Sequence, residues 1–357
     1  MLFAINVEAN NLNRRYYYVQ YIIRYILKLY TEYSAKNRCQ SFYCDALSGN
    51  STYNICINSD MSVSCNAQDY DGQGQIGDLL MDSFEKIFRS DKANEFRIKL
   101  SRGKLPVLVC SRCSELRAVP KDKADYFVTH FKIPDGGIML ENTINCKMNC
   151  RGCSRKSIER IRRKRNLSLD DMQKVSLLIK KHNIKSLAFF NLGEPFFSTT
   201  IYDEVKIIRD MNPSLRITAS TNGFSLDTDI KRDAAMLMDH VLFSIDGVSN
   251  EVLAKYQRNG SFDKSYENIQ RLAQYRTEKG LKLPIVEWKY VLFNWNDKPE
   301  YIHRAIEMAK LAGVDILSFW PTMNPVYGIS WRYYCGSFFE KIGVKSWKGR
   351  EIVFREG

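Results

Sequence analysis

The chain has 357 residues, a formal net charge of +13, and 45% hydrophobic and 26% charged residues. This composition is typical of a globular protein with a full core and excludes a disordered or fibrous chain. No run of about 18 apolar residues predicts a membrane-spanning helix. Ten cysteines without a secretory signal indicate reduced thiols, metal binding and a cytoplasmic location. The basic balance favours anionic partners.

Residues 12–36 are predicted to form one aromatic-rich helix. Apolar side chains recur along it at helical spacing: Tyr18, Tyr21, Ile22, Tyr25, Ile26 and Leu29. With Arg24 and Lys28 on the same helix, binding to a membrane surface or to a partner is one interpretation. We expect instead that the helix packs on the domain that follows.

A cysteine-rich segment comes next. Residues 53–65 alternate as a β-hairpin does, with a turn at 58–60, and a C-x₂-C pair closes the segment. Four thiols are predicted to bind one metal centre: Cys44, Cys65, Cys110 and Cys113. Zinc and an iron–sulfur cluster both suit such a donor set. Cys39 and Cys56 are alternatives to Cys44, although each is expected to be a buried core thiol.

Three further cysteines lie on one short loop, after a strand predicted near residues 137–145: Cys146, Cys150 and Cys153. Three thiolates can bind three irons of a 4Fe–4S cluster and leave the fourth iron open to a small molecule. A zinc knuckle and a disulfide loop are the alternatives. A closed zinc site needs a fourth ligand, and no cysteine or histidine occurs in the next twenty residues.

From residue 137 onward, predicted strands and helices alternate, and a helix is expected at 168–182 with Ser168 as its cap. Five further strands are predicted, at 185–191, 216–220, 239–244, 284–292 and 315–320. Six βα units predict an α/β fold, a partial (β/α)₆ TIM-like barrel, with a small N-terminal cysteine-rich domain before it. Chemistry then belongs at the C-terminal ends of the strands.

Glycines and polar residues follow three of these strands. The second strand ends in Gly193-Glu194-Pro195, the third in Ser220-Thr221-Asn222-Gly223 and the fourth in Ser244-Ile245-Asp246-Gly247. Glycine lets the backbone approach a ligand closely, and a carboxylate can pair with an ammonium group. Ordinary turns with surface acids are the alternative interpretation.

The C-x₃-C-x₂-C spacing and these strand ends, in this order, resemble the radical S-adenosylmethionine (SAM) superfamily over residues 136–325. The resemblance implies that Cys146, Cys150 and Cys153 hold a 4Fe–4S cluster. It also implies a set of SAM-binding residues: Gly193, Glu194, Pro195, Ser220, Asn222, Ser244 and Asp246. The implied reaction is reductive cleavage of SAM to a 5′-deoxyadenosyl radical that abstracts hydrogen from a substrate, with flavodoxin or ferredoxin as electron donor. Gly152 departs from the family, which often has an aromatic residue there.

Residues 44–113 resemble the SPASM or twitch auxiliary-cluster domain of radical SAM enzymes, in the order of their hairpin, turns and final C-x₂-C. The resemblance implies an auxiliary 4Fe–4S cluster on the four thiols. Two features depart from the family: Asp60-Met61 replaces the usual Asp-Gly, and the domain precedes the core. The predicted organisation is an N-terminal helix at 1–37, an auxiliary domain at 38–120, a radical SAM core at 121–325 and a C-terminal extension at 326–357.

Charged residues give the expectations for the substrate. Residues 155–165 carry seven cations, which favour a phosphorylated or carboxylated ligand; a solvated helix face is the alternative. Lys289 is predicted to contact the substrate from inside the barrel or to form a structural ion pair. Cys335 is a candidate hydrogen-atom donor, with an inert thiol as the alternative.

The expected function is a radical SAM enzyme acting on a sugar, nucleotide-sugar or glycan-pathway metabolite by epimerisation, dehydrogenation or rearrangement. A SPASM-type peptide maturase and a non-catalytic metal-binding protein are the alternatives. Nucleic acid is not an expected partner, because no recognised RNA-binding module accompanies the basic run.

Overall fold

A computed structural model describes residues 11–334 and 351–354 of the chain. Its helices are α1 (Asn11–Asn37), α2 (Asp45–Ser48), α3 (Phe84–Phe88), α4 (Asp91–Ser101), α5 (Lys121–Thr129), α6 (Arg155–Ile158), α7 (Leu169–Lys181), α8 (Ile201–Met211), α9 (Asp229–Met236), α10 (Asn250–Ala254), α11 (Phe262–Glu278), α12 (Pro299–Leu311) and α13 (Trp331–Tyr334). Its strands are β1 (Gln40–Cys44), β2 (Cys56–Ile57), β3 (Ser62–Ser64), β4 (Gln75–Asp78), β5 (Leu116–Pro120), β6 (Ile138–Leu140), β7 (Ser186–Ala188), β8 (Arg216–Thr221), β9 (His240–Ser244), β10 (Ile285–Leu292), β11 (Ile316–Pro321) and β12 (Glu351–Val353).

The chain divides into two compact units. Unit 1 comprises Met1–Ile55 and Val63–Pro134, and unit 2 comprises Cys56–Ser62 and Asp135–Gly357. The four-part domain organisation predicted from the sequence stays a prediction. None of the helices in the described ranges combines the length and apolar character needed to cross a membrane.

Unit 1 is built around an antiparallel pair of strands, β1 and β5, in which Cys44 lies opposite Leu116. Helices α4 and α5 pack on this pair. Its core is mainly aromatic, with Phe42, Phe84, Phe88 and Phe96 almost completely buried. This packing places the end of β1 next to the turn that carries the C-x₂-C pair, because that turn leads directly into β5.

Helix α1 forms where the periodicity predicts it and packs on the elements that follow it, but not through the apolar face that the spacing identifies. Ala35 on this helix is buried, and α1 packs on β1 and on the 3₁₀ turn Leu108–Arg112. The residues of this face between positions 21 and 29 are exposed by 40% to 57%: Tyr21, Ile22, Tyr25, Ile26 and Leu29. Helical spacing identified the apolar face correctly but not the side of the helix that meets unit 1.

Unit 2 contains the predicted barrel. Strands β6 to β11 lie side by side in chain order, and every neighbouring pair is parallel. Strand β2 adds a parallel edge beside β6, and β12 pairs antiparallel with β11 at the other edge. Because helices lie between successive strands of the six, the fold is a partial (β/α)₆ TIM-like barrel, and the predicted fold class is confirmed.

Alternation along the strands separates the helix-facing side from the barrel interior. On β10, Trp288 and Tyr290 are fully buried, and the Trp288 ring lies against Phe262 and Tyr266 of α11. The intervening Lys289 therefore projects from the opposite face of β10.

Short sequence motifs also predicted the start of one helix and the position of one turn. Helix α7 starts at the predicted cap, where Ser168 and Asp171 form a reciprocal capping box. The predicted turn at 58–60 closes through a hydrogen bond from Met61 N to Asn58 O of 2.8 Å. Met61 has a φ of 68°, so a methionine takes the left-handed conformation that glycine usually provides.

Candidate functional site

The three-cysteine loop follows β6 and is fastened by main-chain contacts at the C-terminal edge of the barrel. Asn149 N donates to Arg258 O at 2.8 Å, and Arg151 N donates to Tyr256 O at 2.9 Å. The Asn324 side-chain amide donates to Gly152 O at 2.7 Å. Segments after β9 and β11 thus hold the loop in position.

Gly152 meets two requirements of this loop. Its φ is +111°, a conformation that side chains disfavour. A Cβ added there would also lie 3.1 Å from the Asn324 amide nitrogen. The backbone of this chain therefore favours glycine where the resembling family often has an aromatic residue.

The structure brings the three predicted cluster thiols together. Burial is the main reason that the pKa of Cys146 is raised to about 11. The negative charge of the nearby Glu194 carboxylate is the second largest cause of the rise. Burial also raises the pKa of Cys150. The neighbouring thiols of Cys153 and Cys146 raise this pKa further, and Asp246 makes a smaller contribution in the same direction. Three half-buried thiols and two buried carboxylates therefore lie close enough to influence one another's ionisation.

Glu194 is held rigidly at the end of the second βα strand. Its carboxylate accepts hydrogen bonds from Thr221 Oγ1 at 2.6 Å, Asn222 N at 2.8 Å and Phe196 N at 3.2 Å. Burial nevertheless raises its pKa to about 7, because these three donors do not fully offset desolvation. A cationic ligand beside this carboxylate would restore its charged form.

Gly193 allows the Glu194 segment to reach the cysteine loop. A Cβ built on Gly193 would lie 1.8 Å from Thr143 O, which no relaxed structure tolerates. The adjacent Glu194 N donates to Asn145 O at 2.8 Å. The two segments therefore touch main chain to main chain, directly beside Cys146.

Asp246 is oriented by residues that sequence reasoning did not select. Its carboxylate accepts from Val291 N at 3.0 Å. Its main-chain N–H donates to Gln257 Oε1 and its carbonyl accepts from Asn296 Nδ2, both at 3.0 Å. Burial raises the pKa of Asp246 to about 7, and the ammonium of Lys289 acts against this rise. Gln257 belongs to a segment that follows the fourth strand, whereas Asn296 had no sequence signal.

The remaining predicted SAM-binding residues lie along the same edge. Asn222 directs its side-chain amide at Cys146 Sγ over 3.6 Å. Pro195 is buried, and its carbonyl accepts from Asn142 Nδ2 at 3.2 Å. Ser220 and Ser244 are half-buried near the ends of β8 and β9.

Lys289 lies in the barrel interior, near Asp246. Its ammonium group is 4.9 Å from the centre of the Trp320 ring. Burial lowers its pKa, while the carboxylates of Asp246 and Glu287 act in the opposite direction. Glu287 has other partners: its carboxylate is 2.9 Å from His240 Nε2 and accepts from Ser318 Oγ. The other candidate catalytic residue, Cys335, lies outside the described residues.

The basic run at 155–165 is largely used by the fold. Arg162 Nε is 3.1 Å from Glu141 Oε1, and both side chains are almost completely buried. Five of the seven cations have a carboxylate partner within the fold: Arg155 and Arg165 with Glu159, Arg162 with Glu141, Arg163 with Asp60, and Lys164 with Asp171. The anionic substrate inferred from this run therefore loses most of its basis.

In unit 1, the four predicted auxiliary thiols line a single cavity, together with apolar side chains such as Leu47 and Phe96: Cys44, Cys65, Cys110 and Cys113. The cavity between them has a volume of about 20 Å³. In the ranges that the structure covers, no three His, Cys, Asp or Glu side chains converge on a position for a single metal ion. The four thiols thus share one small cavity.

Burial raises the pKa of each of these four thiols, that of Cys110 to about 11. Cys113 Sγ already accepts from the Asn66 side-chain amide at 2.8 Å, the kind of contact that stabilises a thiolate. Neither alternative to Cys44 lines the cavity. Cys56 is buried on β2 in unit 2, as expected, whereas the expected burial of Cys39 is wrong because it is exposed.

Comparison with known proteins finds a family similar to part of this chain. Residues 141–286 match the radical SAM superfamily. The ribosomal RNA large subunit methyltransferase Cfr of Clostridium botulinum is 32% identical over 90 residues, which are 24% of this chain and 25% of that protein. The chain thus spans about a quarter of the length of the curated relatives it matches.

Two solved structures show weaker likeness. Native anSMEcpe with bound AdoMet is 15% identical, with coverage of 57% of this chain and 58% of the other, at a TM-score of 0.42. The radical SAM methyltransferase TsrM from Kitasatospora setae is 14% identical, with coverage of 51% and 35%, at a TM-score of 0.39. The matched segment contains the three-cysteine loop, Glu194 and Asp246.

Proposed function

We propose that this chain is a radical SAM enzyme that cleaves SAM reductively to a 5′-deoxyadenosyl radical and abstracts hydrogen from a substrate. One observation carries the proposal: three half-buried thiols lie close together, with the buried carboxylate of Glu194 acting on Cys146 and that of Asp246 on Cys150. Five acidic groups in one desolvated space need positive charge to ionise together. An iron–sulfur core and the ammonium and sulfonium groups of SAM have that charge.

The residues present fit these groups. Cys146, Cys150 and Cys153 would hold three irons, and the Glu194 carboxylate would accept a hydrogen bond from the SAM ammonium group. When bound, the cluster and SAM supply the electron transfer and the carbon radical. The protein orients them: Gln257 and Asn296 fix the main chain at Asp246 through the contacts already described. The Asn222 amide, aimed at Cys146 Sγ, would stabilise the bound thiolate.

For the substrate, we propose a small molecule bound in the barrel interior against Lys289 and Trp320. A half-buried ammonium beside an indole ring suits a sugar or nucleotide ring that carries an anionic group. A sugar or glycan-pathway metabolite is the candidate class, converted by epimerisation, dehydrogenation or rearrangement. The electron donor is proposed to be a flavodoxin or a ferredoxin.

Methyl transfer is the second candidate reaction. The sequence match to a protein named as a ribosomal RNA methyltransferase favours it, because SAM also serves as a methyl donor. The charge of +13 is compatible with an RNA substrate. Release of S-adenosylhomocysteine with a methylated product would distinguish this reaction from hydrogen abstraction alone.

We also propose that Cys44, Cys65, Cys110 and Cys113 hold an auxiliary 4Fe–4S cluster. Their convergence on one cavity supports a shared metal centre. A zinc ion on the same four thiolates is the alternative. With four thiolates, this centre would be closed to substrate and suited to electron transfer.

The test is 5′-deoxyadenosine formation by the anaerobically reconstituted, dithionite-reduced protein. The wild type and a Cys39→Ala variant should form it, since Cys39 is exposed and outside both thiol sets. A variant with Cys146, Cys150 and Cys153 changed to alanine should form none. A wild-type protein fully loaded with iron and sulfide that neither binds SAM nor forms product would contradict the proposal.

A further inference from the structure

Helix α1 presents its apolar side to solvent and its charged side to unit 1. Within residues 21–33, every exposed residue is apolar or aromatic: Tyr21, Ile22, Tyr25, Ile26, Leu29, Tyr30 and Tyr33. Surface helices of globular proteins normally have the opposite arrangement. The exposed face therefore needs an explanation beyond the fold of unit 1.

The charged side of α1 is committed to contacts within unit 1. The Arg24 guanidinium lies 4.9 Å from the centre of the Tyr70 ring. Glu32 accepts from Leu105 N at 2.9 Å and from Lys104 Nζ at 3.1 Å, and Lys28 is 4.0 Å from the same carboxylate. These contacts fix the rotation of the helix, so the apolar face cannot turn inward without breaking them.

The exposed area is large for an isolated protein. With about 200 Å² for a complete tyrosine side chain and exposures from 40% to 67%, the seven side chains present roughly 600–700 Å². The largest apolar patch on a typical monomer is about 300–600 Å². A standard protein–protein interface buries about 800 Å² on each partner. This face alone thus approaches the area that a stable dimer requires.

The spacing of the exposed residues matches a helix–helix seam. Ile22, Ile26, Leu29 and Tyr33 are separated by four, three and four residues, which is the heptad repeat of a coiled coil. Tyr25 and Tyr30 flank the seam at the positions next to it. A second helix with the same repeat would interdigitate with it.

We propose that α1 is a homodimer interface, in which its apolar face packs against α1 of a second copy of the chain. A two-fold interface uses the same patch on both subunits, and a heptad seam complements itself. Helices that lie on anionic membranes combine an apolar face with cations free to reach the lipid headgroups. Here Arg24 and Lys28 are engaged inside unit 1, which favours a protein partner.

The test compares the mass of the full-length, metal-loaded chain in solution, by light scattering and sedimentation equilibrium, with that of an Ile26→Glu variant. We expect a dimer for the wild type and a dissociation constant raised at least about 30-fold in the variant, the loss typical of a central interface residue. Ile230→Glu is the matched control, because Ile230 is also a half-exposed isoleucine on a helix, α9 of unit 2. It should remain dimeric, and both variants should keep the wild-type circular dichroism spectrum.

Three results would overturn the proposal. The first is a wild type that stays monomeric across the concentration range. The second is a dimer that Ile26→Glu leaves unchanged. The third is a monomer that floats with vesicles of anionic phospholipid and loses this property in Ile26→Glu, which would assign the face to a membrane surface.

Discussion

At the scale of single residues, Glu194 shows how the site is prepared for a cation. Three donors already point at its carboxylate, yet burial still raises its pKa to about 7. Hydrogen bonds fix the side chain, but they supply only partial charges. A ligand ammonium group would add the full charge that the buried carboxylate lacks, so its binding energy should depend strongly on this one residue.

Changing Glu194→Gln should weaken SAM binding about 10- to 150-fold, the range expected when a hydrogen bond to a charged group is lost. Iron and sulfide content should stay at the wild-type level, because the thiols are unchanged. Equilibrium binding of SAM to the reconstituted protein measures the effect. Glu251→Gln, an exposed glutamate in the first turn of α10, is the control and should bind SAM normally. Equal affinity in the two variants would refute the assigned role.

At the scale of elements, the segment at 155–165 fastens the cysteine loop region to the barrel. Arg162 reaches the buried Glu141 at the end of β6 and also donates to Asn58 Oδ1 at 2.7 Å. Arg155 donates to Met148 O, within the cysteine loop, at 3.4 Å. The cations of this run could have bound a ligand, but most of them form ion pairs and hydrogen bonds within the fold.

Changing Arg162→Met should lower the free energy of unfolding by about 3–5 kcal/mol, because it leaves the Glu141 carboxylate buried without its partner. Chemical denaturation measures the loss. Lys156→Met, at an exposed cation of the same run, should change stability by less than about 0.5 kcal/mol. The double variant Arg162→Met/Glu141→Leu should recover part of the loss, since no unpaired charge remains. Equal stability of the Arg162 and Lys156 variants would mean that the run does not tie the fold together.

At the scale of the whole molecule, each compact unit contains its own set of converging thiols. Unit 2 holds Cys146, Cys150 and Cys153, and unit 1 holds the four thiols around the apolar cavity. No thiol is shared between the two sets. The two proposed metal centres should therefore load and be lost independently.

Metal analysis of the reconstituted protein tests this independence. The wild type should contain about eight iron atoms, as two 4Fe–4S clusters. The alanine variant of the three-cysteine loop should retain about four, and Cys65→Ala/Cys113→Ala should also retain about four. Zinc in place of the second set of irons would identify the unit 1 centre as a zinc site. Iron and zinc contents unaffected by Cys65→Ala/Cys113→Ala would exclude a metal centre in unit 1.

The sequence by itself determined the features that depend on short-range order. The alternation of strands and helices predicted the barrel, because the period of apolar residues reports each element directly. Because the three cysteines lie within eight residues, their thiols lie on one loop however the rest of the chain folds. Ser168 and the Gly193-Glu194-Pro195 segment were readable for the same reason, since their partners are close in the chain or follow from the strand order.

The tertiary structure decided which residues contact each surface of the helices and strands. Helical spacing revealed an apolar face on α1, but only the pairing of Arg24 and Glu32 with distant residues turned that face to solvent. The basic run carried no sign of Glu141 and Asp60 as its partners. Asn296 reached Asp246 from fifty residues away, and Cys44 rather than Cys39 joined the cavity. Burial and ion pairing join residues far apart in the chain, and such contacts exist only once the strands and helices have packed.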